Sequence, residues 1–226
     1  MPKIVDHEER RTEVLNATWR VIGRYGLEGA TVRRIADEAG YSNGILQHYF
    51  QNKEDILISA HQLAFSRAGE RIARVTADRT GLEALRRALF EALPLDAEGV
   101  LEAQVDVSFL GYTVGNARLR EIRRVSNEGS RRQWAGFVEA AQAVGDIDAD
   151  DDGALIVDDL MVLIDSLSVA AIIEPGRMTA ERQMLLVDRY LLRIATGPEV
   201  LARLIPDRKP LRRQGSGHKA LAGRSS

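Results

Sequence analysis

The twenty residues from Thr31 to Phe50, TVRRIADEAGYSNGILQHYF, constrain this chain most, because a glycine stands where two short amphipathic helices must turn on each other. Thr31 is a hydroxyl N-cap, and Val32, Ile35, Ala36 and Ala39 give the helix it opens one apolar face. Gly40 occupies the turn, where a left-handed conformation has no steric cost only for a residue without a Cβ. Ser42 caps a second helix whose inward side is Ile45 or Leu46, with Tyr49. Ala36 is small enough for two crossing helices to approach closely, and Leu46 can plug the seam between them. This is the spacing of a helix-turn-helix, a unit that lays its second helix in the DNA major groove.

The flanks extend the reading. Asp6 to Glu9 has the form of a capping box, opening a helix with Val14, Leu15, Ala17, Val21, Ile22 and Tyr25 on its buried side. Gly26 and Gly29 end it. Asn52 caps a fourth helix beginning near Lys53 and running to about Val75. Thr80 to Glu83 reads as a second capping box for a helix ending at Pro94. Asp96 opens a segment to about Val114, and a helix after Gly115-Asn116 runs to about Val144. An acidic loop leads into the apolar stretch Leu155–Ile173, and Thr179 caps a last helix stopped by Gly197-Pro198. No strand pattern occurs, so the fold class is all-α.

Composition narrows the functions. The 226 residues contain no cysteine, which excludes disulfides, thiolate metal sites and a cysteine nucleophile. His7, His48, His61 and His218 are scattered, and neither a Gly-x-Ser-x-Gly nor a phosphate-loop pattern is present. We therefore expect neither an enzyme nor a cofactor. The most apolar run is broken by Asp158, Asp159 and Asp165, so no membrane span is expected. The N-terminus is charged almost at once, unlike a signal peptide, and a cytoplasmic location follows as an expectation.

Charge divides the chain into three. Residues 1–53 carry eight Lys and Arg against seven acids, a net of +1. Residues 54–206 net −8, and residues 207–226 net +5. A net of +1 is small for a DNA-binding head, since phosphate contacts supply much of such affinity. Local placement of Arg10, Arg11, Arg33, Arg34 and Lys53 on the DNA side would compensate. The last segment, polar and rich in Gly and Ser, reads as a disordered basic tail.

Ala17-Thr18, Gly26, the run TVRRIADEAGYSNGIL, then HYF, then Lys53-Glu-Asp-Ile-Leu57 together resemble the N-terminal domain of the TetR family of one-component transcriptional regulators. Leu93-Pro-Leu-Asp96, VLIDSLSVAAIIEPGRMT and AERQMLLVDRYLLRIATG resemble the ligand-binding domain of its betaine-regulator (BetI-type) branch. The resemblance implies about nine helices, a DNA-binding domain at 1–53 and an effector-binding and dimerisation domain at 54–206. It also implies a homodimer, and a repressor released from a palindromic operator by a small molecule. By the same resemblance Thr31 and Arg33 bond phosphates, Tyr49 and Lys53 clamp them with His48 alongside, and Asn43, Ile45, Gln47 and Ser42 face the bases. The chain departs from the commonest pattern by carrying Asn43, Ile45 and Gln47 where a basic residue, Thr or Ala, and Tyr are usual. That departure bears on which sequence is read, not on the binding mode.

Dimerisation would use Leu160, Leu163, Ile164, Leu167 and Ala171, with Leu191 from the last helix, because an all-round apolar helix needs a second burial partner. Candidate effector-pocket residues are Phe65, Phe90, Phe109, Tyr112, Trp134, Phe137 and Met161, with Asp106 and Asp165 as carboxylates on otherwise apolar helices. A buried carboxylate needs a partner, either an arginine of the chain or a cationic ligand. A quaternary amine held by aromatic rings and an apolar acid or drug-like molecule are equally compatible. Two competing readings are a helical dimer without specific DNA recognition, and a calcium loop formed by Asp148, Asp150, Asp152, Gly153 and Asp159.

Overall fold

The computed structural model describes the backbone of residues 5–197 and 199–200. The basic segment 207–226 lies outside the described residues. Among these there are nine helices: α1 (Val5–Gly29), α2 (Val32–Ala39), α3 (Asn43–Tyr49), α4 (Lys53–Thr76), α5 (Gly81–Glu91), α6 (Ala97–Thr113), α7 (Ala117–Ala143), α8 (Gly153–Ile173) and α9 (Ala180–Ile194). The pairing of Ile147 with Ala195 is an isolated antiparallel bridge, tying the loop after α7 to the chain after α9.

Caps fix most of these boundaries. Thr31, Ser42, Asn52, Asp96, Asn116, Asp152 and Thr179 each accept a backbone N–H from the first turn of the helix they precede. Two sequence expectations fail here. Helix α1 begins at Val5, so Asp6 lies inside it and not at the N-cap position. Thr80 makes no side-chain cap bond either. Gly81 departs from helical geometry at φ 63, and the carboxylate of Asp146, 64 residues onward, accepts the N–H of Leu82 at 3.0 Å. A Cβ at Gly81 would lie 2.2 Å from Asp146 Oδ2, in a backbone conformation that L-residues avoid. Gly81→Ala should therefore lower the unfolding free energy by about 2 kcal/mol or more, measurable by urea denaturation.

Two cores result. Val14, Leu15, Trp19, Val21, Ile22, Ile35, Ala36, Leu46, Phe50, Ile56 and Leu57 close the N-terminal unit, with Val105 of α6 inserted into it. Trp19 Nε1 donates to Ala60 O at 3.1 Å, fastening α1 across α4. The second core joins α5, α7, α8 and α9 through Leu82, Leu85, Leu89, Trp134, Val138, Leu160, Val187 and Leu191. Helix α4 contributes to both, so no flexible linker separates the units. Tyr25, expected on the buried side of α1, is instead about half exposed beside the kink at Gly26, with the Arg34 guanidinium 4.8 Å above its ring. Among the described residues, no helix is long and apolar enough to cross a membrane.

Candidate nucleic-acid interface and effector cavity

The turn between α2 and α3 is built as the glycine required. Gly40 takes φ 74, its N–H reaches Asp37 O, and the N–H of Tyr41 reaches Ala36 O at 2.9 Å. This paired closure is a Schellman motif, and it aims α3 away from α2 at a fixed angle. Leu46, fully buried, fills the seam, which resolves the inward residue of α3 in its favour; Ile45 is exposed. Arg20 and Arg24 of α1 both reach Glu38, at 2.7 and 3.4 Å, holding α2 in place from the outside.

The outer face of this unit presents Thr31, Arg33, Ser42, Asn43, Ile45, Gln47 and His48 to solvent, with Tyr49 half-buried. Val32, Arg33, Asn43 and Gln47 share the wall of a shallow groove between α2 and α3. His7 of α1 leans on this surface, its ring 4.4 Å from that of Tyr49 and 6.1 Å from that of His48. Lys53 is half-buried and donates to Leu27 O at 2.9 Å, so one of its three donors already binds α1 to α4. Arg11 does not line the outer face as charge considerations suggested, whereas Arg34 stays exposed. Arg11 bonds Ser59 Oγ at 2.7 Å and Tyr49 O at 3.3 Å beneath the Phe50 ring. Arg34 donates to Gly29 O. Both guanidiniums donate to carbonyls at helix ends, and for Arg11 this draws the side chain inward.

In the second unit a cavity of about 130 Å³ lies among α4, α5, α6, α7 and α8. Of the expected pocket residues, Phe65, Trp134, Met161, Asp106 and Asp165 line it. Phe90, Phe109, Tyr112 and Phe137 do not. Phe109 is buried and stacked on His61 at 4.2 Å, and Phe90 lies under the Arg86 guanidinium. Tyr112 is exposed and bonds Glu28, and Phe137 packs against the second core beside Trp134. Helical spacing placed these rings on common faces but could not say which faces meet.

Sequence reasoning missed the polar wall. Arg123, almost fully buried, bridges Asp106 and, at 3.2 Å, Asp165, so an arginine of the chain answers those carboxylates. Arg71 holds Glu102 through two contacts of 2.9 and 2.6 Å and reaches Glu91 at 3.5 Å. His61 of α4 sits 3.2 Å from Asp106 and 3.3 Å from Ser126 Oγ. Burial alone would push Asp106 up, but His61 and Arg123 together hold it below the usual carboxylate range. Burial, with the neighbouring Asp106 charge, pushes Asp165 up against the pull of Arg123. A signal for this wall existed: Leu119, Arg123, Asn127, Ser130 and Trp134 recur at helical spacing on α7, with polar residues in a buried register.

Burial and bonding bear on the other expectations. Leu160, Leu167 and Leu191 are inside the chain's own second core and Ala171 is buried, while Leu163 and Ile164 are partly buried against that core. The outward apolar residues are Leu155 at 60%, Val162 at 65% and Ile173 at 69% exposure on α8, with Leu185 and Leu192 on α9. The acidic loop is not shaped for calcium. Asp152 caps α8, Asp148 accepts Asp150 N at 3.0 Å, and Asp159, inside the helix, meets Tyr190. Among the described residues no three such side chains converge on one point.

Residues 14–60 match the tetR family of bacterial regulatory proteins, and residues 81–196 match the C-terminal domain of BetI-type transcriptional repressors. The chain is 32% identical over 186 residues to the HTH-type transcriptional regulator PksA of Bacillus subtilis, spanning 80% of this chain and 88% of that protein. Its fold is that of a transcriptional regulator from Saccharomonospora viridis solved in complex with choline, with a TM-score of 0.76 at 22% identity over 83% of this chain and 98% of that one. It is also that of FadR from Bacillus subtilis solved with stearoyl-CoA, with a TM-score of 0.69 at 22% identity over 82% and 98% of the two chains.

Proposed function

As the chain belongs to the TetR family of bacterial regulatory proteins and is a ligand-responsive transcriptional regulator, we propose that it represses from a palindromic operator and is released by a small molecule held in the cavity beside Arg123. The observation that carries this reading is a single path of contacts from that cavity to the DNA-facing unit. Arg123 lies on α7, and five residues earlier on the same helix Arg118 grips Glu54 at 3.0 Å and Asp55 at 3.2 Å in the first turn of α4. Asn116 adds a bond to Glu54 at 3.0 Å. From the cavity side, Asp106 faces His61 in the middle of α4. A ligand that draws Arg123 and Asp106 toward itself therefore displaces α4 at two points, and Lys53 with α3 moves with it. The ligand acts only through its different affinity for the two arrangements.

The DNA-binding unit is residues 1–53 and the effector unit 54–206, with α4 as the lever between them. Asn43 and Gln47, one turn apart on the exposed side of α3, read base edges, and Ile45 meets a thymine methyl. Thr31, Arg33, His48, Tyr49 and Lys53 hold phosphates, and Ser42 starts the reading helix. Two copies join through the outward stripe of α8 and α9, where exposed Asp158 and Asp159 on one helix and Arg182, Arg189 and Arg193 on the other offer opposite charge. A dimer sets two reading helices for successive major grooves about 34–36 Å apart.

Selection of bound sequences from a random DNA library by the full chain tests this. An enriched palindrome supports it, whereas a folded dimer that enriches nothing, with and without small-molecule pools, contradicts it. Gln47→Ala should relax preference at one base pair of each half-site by about tenfold, as expected from a contact worth roughly 1–3 kcal/mol. A repeated selection with that variant reads the change, and an unchanged motif would remove Gln47 from base reading.

A further inference from the structure

We infer that the cavity takes a small organic ammonium that carries N–H groups and a neutral oxygen, an amino alcohol in chemical class, and not a fully methylated ammonium or a carboxylate. The inference rests on the reading of this cavity as the effector site. Glu91, Glu102, Asp106 and Asp165 all line it; among the described residues Arg71 and Arg123 answer them, each shared between two carboxylates, with His61 also facing Asp106. The surroundings therefore hold more negative than positive charge. An anion entering would meet this excess, and a cation relieves it. The two carboxylates held at longer range, Glu91 at 3.5 Å from Arg71 and Asp165 at 3.2 Å from Arg123, are also the more exposed of each pair. They are the natural acceptors for an incoming ammonium.

Two residues of the wall carry buried polar atoms that specify more than charge. Arg123 Nε is buried without an acceptor, on a side chain that is itself more than nine-tenths buried, and Asn127 Oδ1 is buried without a donor. Buried polar groups left open cost the full desolvation of that group, so a ligand that closes them gains affinity and one that cannot is rejected. Asn127 Oδ1 calls for a donor, which an N–H ammonium has and a trimethylated one lacks. Arg123 Nε calls for an acceptor, which a hydroxyl supplies without adding negative charge to an acidic site. A quaternary ammonium would instead need aromatic faces around it. Among the described aromatic residues only Phe65 and Trp134 line the cavity, and Phe65 is already covered by the Arg123 guanidinium at 5.7 Å and the His61 ring at 4.6 Å.

Calorimetric titration of the full chain with 3-amino-1-propanol, its N,N,N-trimethyl analogue, propylamine and propionate decides the matter. The amino alcohol should bind tightest, with the trimethyl analogue at least about tenfold weaker and propionate without measurable binding. Asp165→Asn, at a half-exposed side chain that tolerates the change, should weaken the amino alcohol about tenfold or more. Asn127→Ala should narrow the gap between amine and trimethyl analogue. Equal or tighter binding of the trimethyl analogue or of propionate overturns the inference, as does binding by none of the four to a folded protein. Release of the selected operator, followed separately by fluorescence anisotropy, tests the regulatory reading. An amino alcohol that binds with the stated preference yet leaves the operator bound supports the ligand class and removes the effector role.

Discussion

Replacing Arg123 with methionine is expected to lower the unfolding free energy at pH 7 by on the order of 3 kcal/mol, as for removal of one partner from a buried ion pair. Arg123 is almost entirely enclosed, and it faces Asp106 and Asp165 together. Methionine fills a similar volume beside Phe65, so the loss measures the carboxylates left behind and not a hole. The pH dependence identifies the cause. In the wild type Asp106 sits below its ordinary value, so it contributes stability above the unfolded carboxylate range, near pH 4, and that contribution is lost as pH falls through its folded value. Without Arg123 the burial of Asp106 is opposed by His61 but no longer by an arginine, so Asp106 and Asp165 both shift upward. Protonating them then relieves the variant while it weakens the wild type. The difference between the two proteins should be largest at neutral pH and shrink on acidification toward pH 4, as read from urea denaturation at each pH. A difference independent of pH would assign the loss to packing. Adding Asp106→Asn to Arg123→Met should recover part of the loss at pH 7, since it removes a buried charge that has lost its arginine.

How much of this was legible beforehand varies with the kind of constraint. The turn at Gly40 and the caps at Thr31, Ser42, Asn52, Asp96 and Thr179 are local, set by residues a few positions apart, and the helices begin where those side chains say. The cap of α5 is not local. Asp146 supplies it from 64 residues away, and no spacing rule reaches that far. The cavity shows the same division. Asp106 and Asp165 stood out because carboxylates on apolar helices need partners, but their shared partner Arg123 is on a third helix. Phe109 and Tyr112 lie on one side of α6 by periodicity, yet that side meets His61 and Glu28, not the cavity. Helix α8 was hardest. Apolar residues surround it, so periodicity fixes no phase, and only packing against its neighbours, chiefly α7 and α6, separates buried Leu160 from exposed Val162.

That phase sets the second large effect, which concerns DNA and not stability. Val162→Asp should leave the folded chain intact, because its side chain is mostly in solvent within one copy. Two such aspartates facing each other across a two-fold axis, on a helix already exposing Asp158 and Asp159, would have to be desolvated together for the copies to join. Sedimentation velocity at micromolar concentration should find a monomer with unchanged helical content. Operator affinity should then fall by about 10²–10⁴-fold, the range by which two linked half-site contacts exceed either one alone. The same charge at Leu160 would be buried in the chain's own core and destroy the fold, so its loss of binding would say nothing about assembly. A dimeric Val162→Asp protein that holds the operator normally would move the interface off this stripe. A monomeric one with undiminished affinity would mean that each head reads DNA by itself, and the palindrome would lose its physical basis.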